Sequence, residues 1–158
     1  APRPRREDGG AVFALMAPLF VLAAIALLGE AGAKRPVIVP GWPSIPIFSA
    51  ATIVGETVYV SGMVGFDFGK SPPAKCEGGI QAETECALRN VRAVMEAAGS
   101  SLENVADCTV FLADIAQFSA MNEVYLKFFP KDPPSRAAFA VASLAVGAAV
   151  EIKCLGSL

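Results

Sequence analysis

Residues 133–155 read Pro-Pro-Ser-Arg-Ala-Ala-Phe-Ala-Val-Ala-Ser-Leu-Ala-Val-Gly-Ala-Ala-Val-Glu-Ile-Lys-Cys-Leu. Small, apolar and β-branched residues, bounded by Pro133-Pro134 and broken at Gly147, predict two β-strands over about 136–143 and 148–155 with a short turn at 145–147. Each strand carries a charge in apolar company. Side chains alternate along a strand, so Arg136 shares a side with Ala138, Ala140 and Ala142. Glu151 shares one with Ala149 and Lys153, opposite Val150 and Ile152. A guanidinium beside a floor of alanines can seat a small carboxylate, because its planar fork grips both oxygens at once. A carboxylate held nearby can steer a water. The plainer alternative makes Arg136 an exposed strand entrance, and Glu151 with Lys153 a solvated pair of little energetic weight.

Upstream of this stretch, residues 107–112 predict a strand rich in β-branched residues. Asp114 then caps a helix, with Gln117 three positions later as a capping box and Phe118, Met121, Tyr125 and Phe128 as its apolar stripe. Residues 79–98 predict an earlier helix. Its stripe is Ile80, Thr84, Ala87, Val91, Val94/Met95 and Ala98, with Glu83, Glu85, Arg89, Arg92 and Glu96 elsewhere, and Gly99 as its stop. Before it, 69–78 reads as a loop. Ala51–Val54 and 57–61 read as strands around a Gly55-Glu56 turn. This order describes an α+β domain over 48–158: one mixed sheet with two helices on one face. The other face then wants a partner, and a homo-oligomer is the economical answer.

The totals narrow the chemistry. A net charge of −2 and a pI near 5.2 give no basic footprint for nucleic acid. The four cysteines (Cys76, Cys86, Cys108, Cys154) show no C-x-x-C spacing, and the chain has no histidine. A Cys/His zinc site is therefore excluded, as are Ser-His and Cys-His nucleophiles. Proton transfer falls to carboxylate, lysine, tyrosine or water. No metal and no cofactor is expected. Cys108 and Cys154, both in predicted strands, are expected as reduced core residues.

The N-terminal third is different in kind. After the charged residues 1–10, residues 11–29 carry no charge and, as a helix, span roughly 28 Å, close to a bilayer's hydrocarbon thickness. Pro18 bends it or marks its first turn. Three readings fit: a cleavable leader ending near Ala33, a retained transmembrane helix, and a helix docked on partner proteins. The opening at Ala1 fits a leader already removed. The expectation carried forward is a single N-terminal transmembrane helix within residues 1–33, in an organellar membrane (plastid or mitochondrion). The alternative is a secreted or soluble product cut near Ala33. Residues 34–47, with Pro36, Pro40, Pro43 and Pro46, form an extended connector with at most an edge strand at 37–39.

From about Pro43 onward the chain resembles the RidA/YjgF family of enamine and imine deaminases, also called endoribonuclease L-PSP. Pro-Pro-Ser-Arg136-Ala-Ala-Phe followed by Val-Glu151-Ile is similar to its C-terminal signature. Val58-Tyr59-Val60-Ser61-Gly62, Asn90-Val91-x-Ala93-Val94, Ala97-Ala98-Gly99, Thr109-Val110-Phe111-Leu112-Ala113-Asp114 and Met121-Asn122-Glu123-Val124-Tyr125 follow in the family's order. The resemblance implies a chorismate-mutase-like fold, a homotrimer with clefts between subunits, and hydrolysis of small carboxylate-bearing imines or enamines to ketoacids and ammonia. It also implies roles: Arg136 holds the substrate carboxylate, Glu151 positions or activates water, and Asn122, Ser61, Gly62 and Phe48 line the cleft. Ser61 reads as structural and not nucleophilic, since no base is there to activate it. Three departures stand out. Phe48 takes the place of a common tyrosine, Ala50 that of a frequent polar residue, and Ala145-Val146 that of a Pro-Lys turn. They motivate an alternative: an idle RidA-like accessory subunit of a photosynthetic or respiratory membrane complex, docked through residues 11–29. Ribonuclease chemistry ranks third, lacking both histidine and a basic patch.

Overall fold

Two runs of β-branched residues, at 51–54 and 57–60, are too short to stand alone as a hairpin and need a sheet to join. In the computed structural model, which describes residues 32–158, they become β2 (Ala51–Val54) and β3 (Thr57–Val60), paired antiparallel around Gly55. Before them, β1 (Arg35–Val37) adds an edge strand two residues earlier than the 37–39 expected, with Val37 and the following Val39 buried, and the rest of the connector to residue 47 has no strand. After them come β4 (Met63–Val64) and a small ribbon of β5 (Phe66–Asp67) with β6 (Ala74–Lys75). That ribbon occupies part of what reads as a plain loop. Its second strand is only two residues long, too short to show an alternating pattern.

Helix α1 (Gly79–Ala97), β7 (Val105–Leu112), helix α2 (Phe118–Phe128), β8 (Ser135–Ala140) and β9 (Val150–Ser157) complete the chain. The sheet order is β1-β2-β3-β9-β7-β8, with β4 also on β9. β7 and β8 are parallel and the other neighbours antiparallel, because α2 supplies the crossover that a parallel pair requires. The two C-terminal strands are thus not a hairpin: β7 lies between them. Asp114 accepts a bond from the Ala116 amide at 2.9 Å, but it caps a single 3₁₀ turn ahead of α2, and Gln117 makes no capping bond.

Inward residues of β3, β7 and β9 (Val58, Val60, Val110, Ile152) pack with Leu88, Val91, Val94 and Met95 of α1 and with Met121 and Tyr125 of α2. The opposite face is left open, with Tyr59 and Phe139 about half exposed and Phe111 edge-on to Phe139 at 5.4 Å.

Two expectations fail here. Cys108 and Cys154 are directly opposed on β7 and β9, with Cα atoms 4.1 Å apart, and form a disulfide; Cys76 and Cys86 form a second. Register, which a sequence does not print, is what brings the first pair together. Glu83, placed with the solvent-facing charges of α1, is 2 % exposed. Among the described residues no helix is long and apolar enough to cross a membrane. The expected helix over 11–29, with any contacts to membrane subunits, lies outside the described residues.

Candidate active site

The candidate site begins with a mismatch in strand pairing. Tyr59 lies opposite Leu155, while Met63 lies opposite Ile152, so the edge from β3 to β4 carries one extra residue relative to β9. This bulge falls at Ser61-Gly62 and bends the chain beside Glu151, which pairs with Val64. Gly62 is required by close approach. A Cβ there would overlap Glu151 Oε1 and lie 2.7 Å from Glu151 Cδ, so the carboxylate occupies the space a side chain would fill. The Ser61 amide donates to the Ala50 carbonyl at 2.9 Å and its hydroxyl to the Ser49 carbonyl at 2.7 Å. Ser61 therefore holds the segment that presents Phe48, in keeping with a structural role.

Glu151, Gly62, Ser61 and Phe48 line one hollow of about 890 Å³, completed by Trp42, Phe68 and Val146 among others. Val146 has a positive φ of 53°, a conformation costly for a β-branched residue, by about 1–3 kcal/mol. A clamp built on buried Glu83 holds its turn in place. Lys75 Nζ donates to the Gly147 carbonyl at 2.8 Å and pairs with Glu83 at 3.0 Å. The second Glu83 oxygen accepts from the Ala149 amide at 2.7 Å. Gly65 makes room for Glu83: a Cβ there would stand 2.6 Å from the Glu83 Cα. The sequence signal for this clamp was a glycine two residues past the Gly62-Met63 step; nothing in the helical stripe points to Glu83.

Arg136 and Asn122 are elsewhere. Arg136 pairs with Cys108 on β7, which pairs with Cys154 on β9. Residues directly opposed share a face, and Glu151 is an odd number of residues from Cys154, so Glu151 and Arg136 project from opposite faces of the sheet. The guanidinium lies over the Tyr125 ring at 4.5 Å and near the Phe118 ring at 5.7 Å, the stacked geometry arginine favours. Among the described residues it makes no ion pair. The Tyr125 hydroxyl has no hydrogen-bond partner there, nor does Asn122 Oδ1, one helical turn before it. Burial pushes the Tyr125 phenol up to about 12, Arg136 opposing the shift and Asp107 adding to it. One chain therefore holds Glu151 and Arg136 in two separate surroundings. Among the described residues the hollow is lined by a carboxylate and no cation, and the cation of the edge strand makes no ion pair.

This fold and this sequence have counterparts among known proteins. Residues 43–157 match the family described as endoribonuclease L-PSP. The chain is 40 % identical over 129 residues to the RutC family protein UK114 of Drosophila melanogaster, covering 82 % of this chain and 86 % of that protein. It is 39 % identical over 108 residues to human 2-iminobutanoate/2-iminopropanoate deaminase, covering 68 % and 77 %. The crystal structure of RidA from an Antarctic Psychrobacter superposes with a TM-score of 0.72 at 35 % identity, over 78 % of this chain and 99 % of that one. With the family match, the fold and the relatives in agreement, the chain belongs to the RidA/YjgF family.

Proposed function

We propose that this protein hydrolyses 2-imino acids to 2-oxo acids and ammonia, at a centre formed when the Arg136 edge of one copy closes on the Glu151 hollow of another. The observation that carries this reading is the separation of the two groups within one chain. An arginine stacked at an edge strand with no ion pair among the described residues, and a carboxylate in a hollow with no cation among the described residues lining it, complement each other across a seam. The two contacting patches differ, so the contact is head-to-tail and must close into a ring to remain finite; a trimer is the closure that the family resemblance implies.

In this centre Arg136 binds the substrate carboxylate through its paired N–H donors. Water attacks the electrophilic C2 of the protonated imine, Glu151 takes its proton, and a carbinolamine forms. Glu151 passes that proton to the amine nitrogen and then takes the hydroxyl proton as the C–N bond breaks, so that the C–O bond becomes a carbonyl and ammonia leaves. Orientation and a steered water supply the acceleration, since the imine carbon is already reactive. The test is complementation. The full chain accelerates ammonia release from an imino acid generated in place by an amino-acid oxidase. Arg136→Ala and Glu151→Gln each lose about 100-fold or more, and coexpression of the two restores a fraction of activity. A wild-type chain that leaves the spontaneous rate unchanged refutes the deaminase. Two inactive variants that never rescue each other refute the shared centre.

A further inference from the structure

The two disulfides differ in what surrounds them. Cys108 and Cys154 sit on opposed core strands, 0 % and 2 % exposed. Cys86, on α1, is 8 % exposed, and its partner Cys76, beside β6, is part-exposed. Neither Cys76 nor Cys86 lines the Glu151 hollow, and α1 packs with Ile152 on the sheet face opposite the one from which Glu151 projects. A second copy closing on the hollow therefore approaches from the other side of the sheet. The Cys76–Cys86 bridge is also a tether. The β5–β6 ribbon has two-residue strands and two paired positions, too little to hold itself. Asn90 fastens its first side to α1, donating to the carbonyls of Val64 and Phe66 at 3.2 and 2.7 Å. The second side is fastened by the disulfide at Cys76 and by Lys75, which reaches Glu83 and the Gly147 carbonyl. Between the two cysteines the chain passes Gly78 and Gly79, both at positive φ (119° and 72°), and α1 begins there without a side-chain cap. With the bridge open, the joint between Lys75 and the helix is this pair of glycines, the residues with the freest backbone.

We propose that Cys76–Cys86 is a thiol-exchange site for a dithiol reductant, and that opening it releases the Lys75 clamp from the 145–147 turn. One thiolate of the reductant attacks Cys76 Sγ, the bond to Cys86 breaks, and Cys86 leaves as a thiolate that takes up a proton. The reductant's second thiol, losing its proton, then displaces Cys76 from the mixed disulfide. Two electrons pass from the dithiol, which departs as a disulfide, and both cysteines end as thiols. Cys108–Cys154, enclosed in the core, is untouched. Lys75 moves with its freed strand, so Glu83 and the Gly147 carbonyl lose their cation together. Val146, held at a φ of 53°, can then leave that conformation. Ala145 and Val146 line the hollow, so the turn loosens within reach of Glu151 and hydrolysis slows. This last step rests on the deaminase reading above; the thiol-exchange site does not.

The full chain is treated with dithiothreitol under native conditions, quenched with iodoacetamide and mapped by mass spectrometry. Cys76 and Cys86 are expected to be alkylated roughly 100-fold faster than Cys108 and Cys154. Amide hydrogen exchange on the reduced protein is expected to quicken roughly 10- to 100-fold at Cys76 and Ala149, whose N–H groups bond to the Gly65 carbonyl and to Glu83 while the bridge is closed. The Cys76→Ser/Cys86→Ser chain should show the fast rate with or without dithiothreitol. Ammonia release from an imino acid should fall roughly 10-fold on reduction and recover on reoxidation. Two bridges that open together, or amides at Cys76 and Ala149 that do not respond to reduction, overturn the proposal. Amide exchange that quickens equally across the whole core means that reduction unfolds the domain, and overturns it as well. Faster exchange at the two amides with an unchanged rate of hydrolysis overturns the catalytic step. A closed-bridge protein that never exceeds the spontaneous rate removes the deaminase and leaves the thiol-exchange site standing on alkylation and hydrogen exchange.

Discussion

Two glutamates of this chain each occupy the place of a missing glycine side chain, and they have opposite fates. Glu83, beside Gly65, is buried, paired with Lys75 and bonded to the Ala149 amide. Glu151, beside Gly62, is half-buried, makes no ion pair among the described residues and faces an open hollow. The glycines differ in what they touch. Gly65 abuts the backbone and stem of Glu83, while Gly62 abuts the carboxylate tip of Glu151. A buried charge with its hydrogen bonds made is a structural member, and removing it leaves partners unsatisfied. A half-buried carboxylate at a bulge, with no ion pair among the described residues, has no such structural partner to lose. Three residues apart, Gly62 and Gly65 thus separate a carboxylate that faces the hollow from the clamp that shapes its surroundings.

The contrast can be broken at several points, and the largest effect is expected at Glu151. Glu151→Gln should lower kcat by about 10²–10⁴-fold while shifting unfolding free energy by no more than about 0.5 kcal/mol. Paired rate and denaturation measurements check both halves. Glu83→Gln should do the reverse first, costing about 2 kcal/mol because a buried charge-assisted bond is weakened and Lys75 loses its partner. Urea unfolding reads that loss directly, and a stability equal to wild type would end the clamp account.

The glycines sharpen the same distinction at smaller scale. Gly65→Ala should destabilise by about 1–3 kcal/mol through overpacking against backbone. Gly62→Ala should leave the unfolding midpoint nearly unchanged, since the far end of a side chain can swing away, yet lower kcat about 10-fold by moving the carboxylate. If Gly62→Ala unfolds the protein and keeps its rate, the roles are misassigned.

The smallest effect concerns the Arg136 edge. The Tyr125 phenol, raised to about 12 by burial, keeps its proton in the folded state while the unfolded chain releases it near 10. Its contribution to stability is therefore complete below pH 10 and is lost as the pH climbs through about 12. Tyr125→Phe should flatten that part of the stability profile while preserving the ring under Arg136. An unchanged slope would mean that the phenol titrates normally.

Much of this was readable from local pattern. Val58 and Val60 alternate with Tyr59, the stripe through Ala87, Val91 and Val94 repeats at helical spacing, and Gly99 ends its helix with a positive φ. Arg136 and Glu151 could be singled out because charge in a small-residue strand is conspicuous without knowing what pairs with it. The burial of Glu83 could not be read, since its position on the helix looks like that of Glu85 or Arg89. What distinguishes it is Lys75, eight residues away, and Ala149, sixty-six residues away.

The amino-acid order by itself determined the two helices and the long strands, the family and the two charged candidates, because periodicity, turn chemistry and motif spacing act over neighbouring residues. Only the tertiary structure decided that β7 separates the last two strands, that Cys108 meets Cys154, and that Arg136 and Glu151 leave the sheet on opposite faces. Strand order and register are set by which distant surfaces bury each other best, and a shift of one residue turns every side chain over. That parity puts the guanidinium on α2 and the carboxylate in the hollow.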